Sequence, residues 1–330
     1  MTALEVVIPL RWDAADDVGH ALQVADMTAY LSGLSAWADI TVVDGSSAHR
    51  QQEHRAAWQA YARVIVPDPG RIGRNGKVVG ALTGIDAARH ELVVLADDDV
   101  RYDATTLGLV AALLADADVV RPQNVFTTWP WHARWDGSRS LLNRALTAAD
   151  WPGTFGLRRG FVRRMGGWDA DVLFENLELV RTATVAGGRV VNAPHVLVMR
   201  VPPSVRHFRS QRVRQAYDDL AQPGRLLIET SILPLGLLAL VLRPRWLAYA
   251  GAATMLAAEL GRRRAGGARA IPVGTACWAP LWLAERGVCI WAALAARARG
   301  GMPYHGRRLK VAAHSSRELR LRFRSPVPGG

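Results

Sequence analysis

Short apolar runs alternate with longer mixed segments over the first hundred residues. A run without polar alternation is typical of a strand buried on both faces, and the longer segments between such runs predict crossover helices. This pattern predicts an α/β fold built on a parallel sheet. The predicted strands are Glu5–Pro9, Ile40–Val43, Arg63–Val66, Leu92–Ala96 and Asp118–Arg121, and the predicted helices are Asp17–Trp37, Gly76–Ala88 and Thr105–Ala115.

The pattern changes twice farther along the chain. Residues 122–160 are Trp-rich and predict an irregular stretch. A helix from Glu175 to about Ala186 and a strand over Arg189–Val201 follow, and residues 203–222 predict an amphipathic, Arg-rich interface helix.

Three apolar segments follow residue 222, and we expect helices at about 226–242, 246–260 and 271–296. A membrane-spanning helix needs about 20 apolar residues, with a lower limit near 17. The first two segments, joined by a short polar turn, predict two crossings. Glu285 and Arg286 at the centre of the third favour a segment that does not cross. The alternative is a buried helical hairpin in a soluble domain. This division predicts one unit over 1–222 and a membrane-associated helical region with a basic tail over 223–330.

Charge is distributed unevenly. Residues 1–199 hold 19 Lys and Arg against 23 Asp and Glu, whereas residues 200–330 hold 22 against 6. An acidic half followed by a basic, apolar half favours contact with anionic lipid headgroups on the cytoplasmic side over nucleic-acid binding. Cys277 and Cys289 form no metal or disulfide pattern. We expect no signal peptide, because a strand begins close to the N-terminus.

Carboxylates follow the fourth predicted strand directly, at Asp97, Asp98 and Asp99. Ligands of open α/β sheets bind at the carboxyl ends of the strands, and clustered carboxylates repel one another unless a cation holds them. Alternation along the chain points Asp97 and Asp99 in similar directions, which suits a hard divalent ion and a diphosphate. The alternative is a solvated acidic turn before the next helix.

Two further segments carry candidate chemistry. Asp44 ends the second predicted strand before a flexible turn. Lys77 begins a helix after a Gly-rich turn, where it could hold phosphate oxygens or could be solvated. The turn is not a P-loop, because Arg71 occupies the required glycine position and Val78 follows the lysine. The G-x-G-x-x-G dinucleotide fingerprint is also absent.

The ordered set of motifs resembles the inverting family-2 glycosyltransferases of GT-A fold, especially the ceramide glucosyltransferase-like branch. The resemblance covers about residues 4–310. It implies a mixed, mainly parallel sheet flanked by helices and followed by membrane helices. The matching segments are the strand ending Val7-Ile8-Pro9, then Val43-Asp44-Gly45-Ser46-Ser47, Gly76-Lys77, Ala96-Asp97-Asp98-Asp99, Gly166-Gly167-Trp168-Asp169, Phe174-Glu175-Asn176-Leu177-Glu178 and Gln211-Arg212-Val213-Arg214-Gln215.

The resemblance also implies roles for individual residues. Asp44 would contact the base or ribose, and Lys77 would lie near the nucleotide and its phosphates. Asp97 and Asp99 would hold Mg²⁺ or Mn²⁺ and the sugar diphosphate. Arg214, with Gln211, would close over the diphosphate or the acceptor.

Two positions depart from the family pattern. Asn176 stands where the family usually has the aspartate that acts as the base, and an amide cannot take a proton. Glu175 or Glu178 would then serve, or the acceptor is already an anion such as a polyprenyl phosphate. Both glutamates could instead be a solvated helix start that complements the dipole. Gln215 replaces the aromatic residue of the family's QxxRW motif, and the arginines around it could equally rest on lipid headgroups.

The sequence thus predicts a metal-dependent hexosyltransferase attached to the cell membrane, with its catalytic domain in the cytoplasm. It would move a sugar from a nucleoside-diphosphate sugar to a lipid or polyprenyl-linked acceptor, inverting the anomeric centre. One alternative is a degenerate, non-catalytic partner at the membrane. A nucleotidyltransferase is the other alternative, but the segment Arg11–Asp17 is acidic and Gly-free where that class has a basic Gly-rich loop.

Overall fold

The computed structural model describes residues 3–13, 17–147, 149–304 and 306–324. Within them, eight strands form one sheet in the order β3-β2-β1-β4-β7-β6-β8-β5. The strands are β1 (Leu4–Leu10), β2 (Asp39–Asp44), β3 (Arg63–Ile65), β4 (Leu92–Ala96), β5 (Val100–Arg101), β6 (Val119–Phe126), β7 (Thr154–Arg158) and β8 (Val190–Arg200). Strands β3, β2, β1 and β4 pair in parallel, β7 runs antiparallel between β4 and β6, β6 pairs in parallel with β8, and β5 pairs antiparallel with β8.

Helices cover both faces of this mixed sheet. Because successive side chains of a strand point to opposite faces, β1 contributes to two cores. Val6 packs with Met27 and Trp58 on one face, and Val7 packs with Ile85 on the other. The helices are α1 (Asp17–Leu34), α2 (Ala48–Trp58), α3 (Gly76–Ala87), α4 (Ala104–Leu113), α5 (Trp131–Thr147), α6 (Arg159–Arg164), α7 (Glu175–Val185), α8 (Val205–Asp218), α9 (Pro223–Leu242), α10 (Arg245–Arg263), α11 (Ala279–Ala298) and α12 (Ser316–Arg324).

The predicted fold class is confirmed, and each predicted strand and helix up to residue 121 corresponds to an observed element. The prediction of an irregular stretch over 122–160 is wrong, because it contains α5 and β7. The buried face of α5 carries small and polar residues that hide the apolar period. Arg144 on that face is 1% exposed and donates to carbonyl groups of Gly261 and Pro194.

The helices after residue 222 pack against the sheet domain. Helix α10 lies on α5 so closely that a Cβ at Gly261 would be 1.9 Å from the carbonyl oxygen of Leu141. Helix α11 contacts α8 and α9, with Gly287 against Ile232. These contacts cross residue 222, where the sequence analysis divides the chain into two units. That division stays a prediction.

Within the described residues, two helices are long and apolar enough to cross a membrane, Pro223–Leu242 and Thr275–Ala298. Only 6% of the first is buried inside the protein, against 33% of the second. The predicted crossing at 246–260 lies in α10, which is not one of these two helices. The segment expected not to cross, 271–296, largely coincides with the second candidate. Glu285 and Arg286 at its centre form ion pairs with Arg212 and Asp219.

The C-terminal segment returns to the sheet domain. Strands β9 (Met302–Tyr304) and β10 (Arg307–Leu309) pair as a small antiparallel sheet. Val311 then forms a bridge with Val172, and α12 packs on α7. The Tyr304 hydroxyl donates to Asn75 Oδ1 over 2.9 Å, so the tail lies directly against the start of α3.

Candidate active site

An open cleft lies beside the carboxyl end of β4, between the N-termini of α3 and α7 and one face of α8. Most of the predicted site residues converge on it. Those that line it are Lys77, Asp97, Glu175, Asn176, Gln211 and Arg214. They come from four separate segments of the chain, so the fold brings together residues that lie up to 137 positions apart in the sequence.

Lys77 lies between two carboxylates. The Asn75 side chain caps α3 by accepting from the Lys77 backbone amide, which places the lysine at the helix start. Its Nζ is 2.6 Å from Asp97 Oδ1 and 2.8 Å from Glu175 Oε1. Burial opposes the charged ammonium, but the two carboxylates outweigh burial and raise the Lys77 pKa. Lys77 is therefore a fixed positive charge in the cleft.

The two carboxylates differ in their pKa. Burial raises the pKa of Asp97, and Asp99 adds to this, although Lys77 opposes it. Burial would also raise the pKa of Glu175, but Lys77 and Arg214 together hold it below its ordinary value. Glu175 is thus an ionised, ion-paired carboxylate and a poor proton acceptor.

The remaining acidic residues at the tip of β4 are each held by a different group. Asp99 Oδ2 pairs with the Arg200 guanidinium over 2.8 Å, and Arg200 lines the cleft in front of it. Asp98 accepts from the Trp12 indole over 2.5 Å. Burial, with the nearby Asp99, raises the pKa of Asp98 to about 6.

The carboxylate oxygens at this end of β4 suit a divalent cation. Asp99 Oδ1 is buried and has no hydrogen-bond donor among the described residues. A buried carboxylate oxygen without a partner is costly unless a cation or proton meets it. Oxygen ligands of this kind suit Mg²⁺ and Mn²⁺. Asp97 and Asp99 are therefore the residues that would hold the ion.

Asp44 does not line this cleft, and its contact with a base or ribose stays a prediction. Its carboxylate is completely buried. One oxygen lies 2.6 Å from His54 Nδ1, and the other accepts from the Ser46 backbone amide over 2.9 Å. Both oxygens thus have partners within the protein, and these contacts fix the turn after β2.

Glu178 also lies outside the cleft. It is completely buried, and its two oxygens lie 2.7 Å from the His314 backbone amide and 2.9 Å from His314 Nδ1. It anchors the C-terminal segment, and its role as a base stays a prediction. Asn176 does line the cleft, and its side chain donates to the Pro152 carbonyl over 2.8 Å.

Arg214 is a cleft cation with unused hydrogen-bonding capacity, as are Arg139 and Arg212. Its Nη1 donates to Gln211 Oε1 over 3.0 Å, while its Nε is buried without an acceptor among the described residues. Gln211 therefore positions the guanidinium. Gln215, at the position of the family's aromatic residue, donates to Asp136 and forms no aromatic platform.

Sequence reasoning missed three residues at this site. Arg200 and Asp218 line the cleft, and Tyr304 lies with its ring centre 5.9 Å from the Arg214 guanidinium carbon. Arg200 ends β8, so its position at a strand tip was a usable signal. Asp218 follows Arg214 by one helical turn, so the sequence also predicts that both lie on one face of the helix. Tyr304 had no local signal, because only the return of the tail brings it here.

Gly153 leaves space for Asp97. A Cβ at Gly153 would lie 2.4 Å from Asp97 Oδ2 and 3.0 Å from its Cγ. We expect Gly153→Ala to turn the carboxylate away from Lys77 and to lower activity at least about tenfold, since small misplacements of site groups are costly. Initial rates with circular dichroism would measure this. Gly108→Ala, where nothing lies within 4 Å, is the matched control; equal rates in both variants would contradict the prediction.

This fold is that of the GT-A class, the nucleotide-sugar-dependent glycosyltransferases. The chain belongs to the glycosyltransferase-like family 2, whose model matches residues 39–218. Among solved structures, it is similar to the mannosyltransferase PcManGT from Pyrobaculum calidifontis in complex with GDP-Man and Mn²⁺. That match has 18% identity and a TM-score of 0.51, and it covers 89% of this chain and 86% of that one.

A second similar structure is glucosyl-3-phosphoglycerate synthase from Mycobacterium tuberculosis, in complex with Mn²⁺, UDP and glucosyl-3-phosphoglycerate. Identity is 13% and the TM-score 0.42, with 63% of this chain and 75% of that chain covered. No significant match was found among curated proteins.

Proposed function

We propose that this protein is a metal-dependent hexosyltransferase that moves a sugar from a nucleoside-diphosphate sugar to a lipid or lipid-linked acceptor, inverting the anomeric centre. One observation carries the proposal. Lys77, Asp97, Glu175 and Arg214, distant in sequence, line one cleft with their charges alternating.

The cleft suits the chemistry of a departing diphosphate. As the glycosidic bond breaks, negative charge develops on the leaving group, and fixed cations stabilise it. Lys77 and Arg214 supply two such charges from the protein. A divalent ion held by Asp97 and Asp99 would supply the third, by neutralising diphosphate oxygens. Arg200 pairs with Asp99 at the same strand end.

Contact with the cytoplasmic face of the cell membrane is part of the proposal. The second half of α9 and the first half of α10 expose large apolar side chains: Leu235, Leu237, Leu238, Leu240, Val241, Leu242, Trp246, Leu247 and Tyr249. An exposed apolar patch of this extent is typical of a membrane or protein interface. Arg243, between the two helices, and Arg245, the first residue of α10, suit headgroups. A lipid-linked acceptor would then meet the cleft from the bilayer.

Transfer from radiolabelled UDP-glucose and GDP-mannose to a membrane lipid extract tests the proposal. We expect transfer that EDTA abolishes and Mn²⁺ or Mg²⁺ restores. Asp99→Ala should abolish transfer while the protein still folds. Full turnover in EDTA, or unchanged metal-dependent turnover in Asp99→Ala, would contradict metal binding at this strand tip. Donor binding without transfer to any lipid would favour the degenerate, non-catalytic alternative.

A further inference from the structure

None of the residues that the family pattern suggests is suited to accept the proton of the acceptor hydroxyl. Asn176 cannot take a proton and already donates to Pro152. Glu178 is buried on His314, away from the cleft. Glu175 is ion-paired with Lys77, which holds the Glu175 pKa low. If the acceptor is an alcohol, another group must act.

Five carboxylates line the cleft, and four of them are committed to ion pairs. Asp97 and Glu175 share Lys77. Asp136 lies 2.7 Å from the Arg212 guanidinium, and Asp219 lies 3.0 Å from Arg225 and 3.1 Å from Arg286. The fifth is Asp218. It makes no ion pair with any residue that the structure describes, and its Oδ1 is buried without a hydrogen-bond partner there.

The surroundings of Asp218 suit a proton acceptor. Asp218 lies one helical turn after Arg214 on the face of α8 that lines the cleft. The charged groups that act on it are Arg214, Glu175, Asp219 and Arg286. Burial, reinforced by the two carboxylates and only partly offset by the two arginines, raises its pKa to about 7. A base is most effective when its pKa lies near the working pH.

We propose that Asp218 accepts the proton of the acceptor, and that the acceptor is therefore a neutral alcohol and not a phosphate. This rests on the proposed glycosyl transfer. The acceptor oxygen forms a bond to the anomeric carbon, the bond from that carbon to the diphosphate oxygen breaks, and the nucleoside diphosphate leaves with the electron pair. The hydroxyl proton passes to the Asp218 carboxylate. A phosphate acceptor needs no such step and would be repelled by the ionised aspartate.

Two acceptor probes separate these chemistries: octyl β-glucoside, which offers hydroxyl groups, and farnesyl phosphate, which is an anion. We expect wild-type protein to transfer to the glucoside, and Asp218→Asn to lower that rate about 100-fold or more. The exposed Asp116→Asn is the matched control. Transfer only to farnesyl phosphate, or equal rates in the Asp218 and Asp116 variants, would overturn the assignment. Calorimetric donor binding is measured in parallel, because its absence in wild-type protein would instead contradict the proposed function.

The pH profile distinguishes a base from a structural role. In wild-type protein, kcat/KM should fall about tenfold per pH unit below about 7, as Asp218 becomes protonated. Asp218→Glu should keep an acidic limb at a shifted pH, and Asp218→Asn should lose it. An acidic limb unchanged in Asp218→Asn would overturn the proposal.

Thermal stability gives a readout that needs no acceptor. Because the folded pKa of Asp218 is raised, the protonated form favours folding, and this contribution is lost as the pH rises through about 7. Asp218→Asn should therefore raise the Tm relative to wild type by more at pH 8 than at pH 5. A lowered Tm at pH 8 would show that the carboxylate forms a stabilising ion pair, which would also overturn the proposal.

Discussion

Asp97→Asn is expected to lower glycosyl transfer by about 100- to 1000-fold while the protein remains folded. The substitution keeps the size of the side chain but removes the charge that faces Lys77 over 2.6 Å. It also removes one of the two carboxylates that would hold a divalent ion at the tip of β4. Both effects act where the diphosphate would lie, so binding of the donor should weaken together with turnover.

Initial rates at saturating and limiting donor would measure this effect, with circular dichroism as the test of folding. Asp116→Asn is the control, because Asp116 is exposed and follows α4 far from the cleft. Asp97→Asn with a rate within tenfold of that control would show that the tip of β4 does not take part in the reaction.

Lys77→Met is expected to lower both activity and stability. Without the ammonium, Asp97 and Glu175 remain close together without their shared cation, and the diphosphate loses a fixed positive charge. The loss of activity should be about 100-fold. About 2 kcal/mol of the free energy of unfolding should also be lost, because a charged group deprived of its partner carries its desolvation penalty. The lysine side chain is 27% exposed, so solvent relieves part of that penalty.

The pH dependence of this loss has a defined sign. Lys77 contributes to holding the Glu175 pKa below its ordinary value, so this ion pair stabilises the protein above that ordinary pKa and ceases to do so as the pH falls. Lys77→Met should therefore destabilise the protein more at pH 7 than at pH 4. Urea unfolding at both pH values measures it. Lys310→Met, which changes the chain's other lysine at an exposed position, is the matched control. Equal losses in both variants would contradict the assignment.

Much of the sheet could be predicted from local pattern. The apolar run of β4 predicted the strand, because burial on both faces leaves a continuous apolar signature. The acidic residues after it predicted the end of the sheet beside which the cleft lies. Helix α5 could not be predicted this way. Its buried face carries Arg144, which is satisfied by carbonyl groups of distant segments, so polarity there does not mean exposure.

The candidate site was predictable where a residue follows a strand or begins a helix, as Asp97 and Lys77 do. It was not predictable where burial and partners decide the role. Asp44 and Glu178 have the residue types expected of the site, yet Asp44 is bound by His54 and Ser46, and Glu178 by His314. The two histidines come from elsewhere in the chain, and for Glu178 the partner lies 136 residues away.

The most direct test of the donor site is calorimetric titration of the full chain with UDP-glucose and GDP-mannose, with and without Mn²⁺. We expect one of these donors to bind in the presence of Mn²⁺, to bind much more weakly in its absence, and to lose affinity in Asp97→Asn. Binding of equal strength without the metal and in Asp97→Asn would contradict a site built on the acidic end of β4.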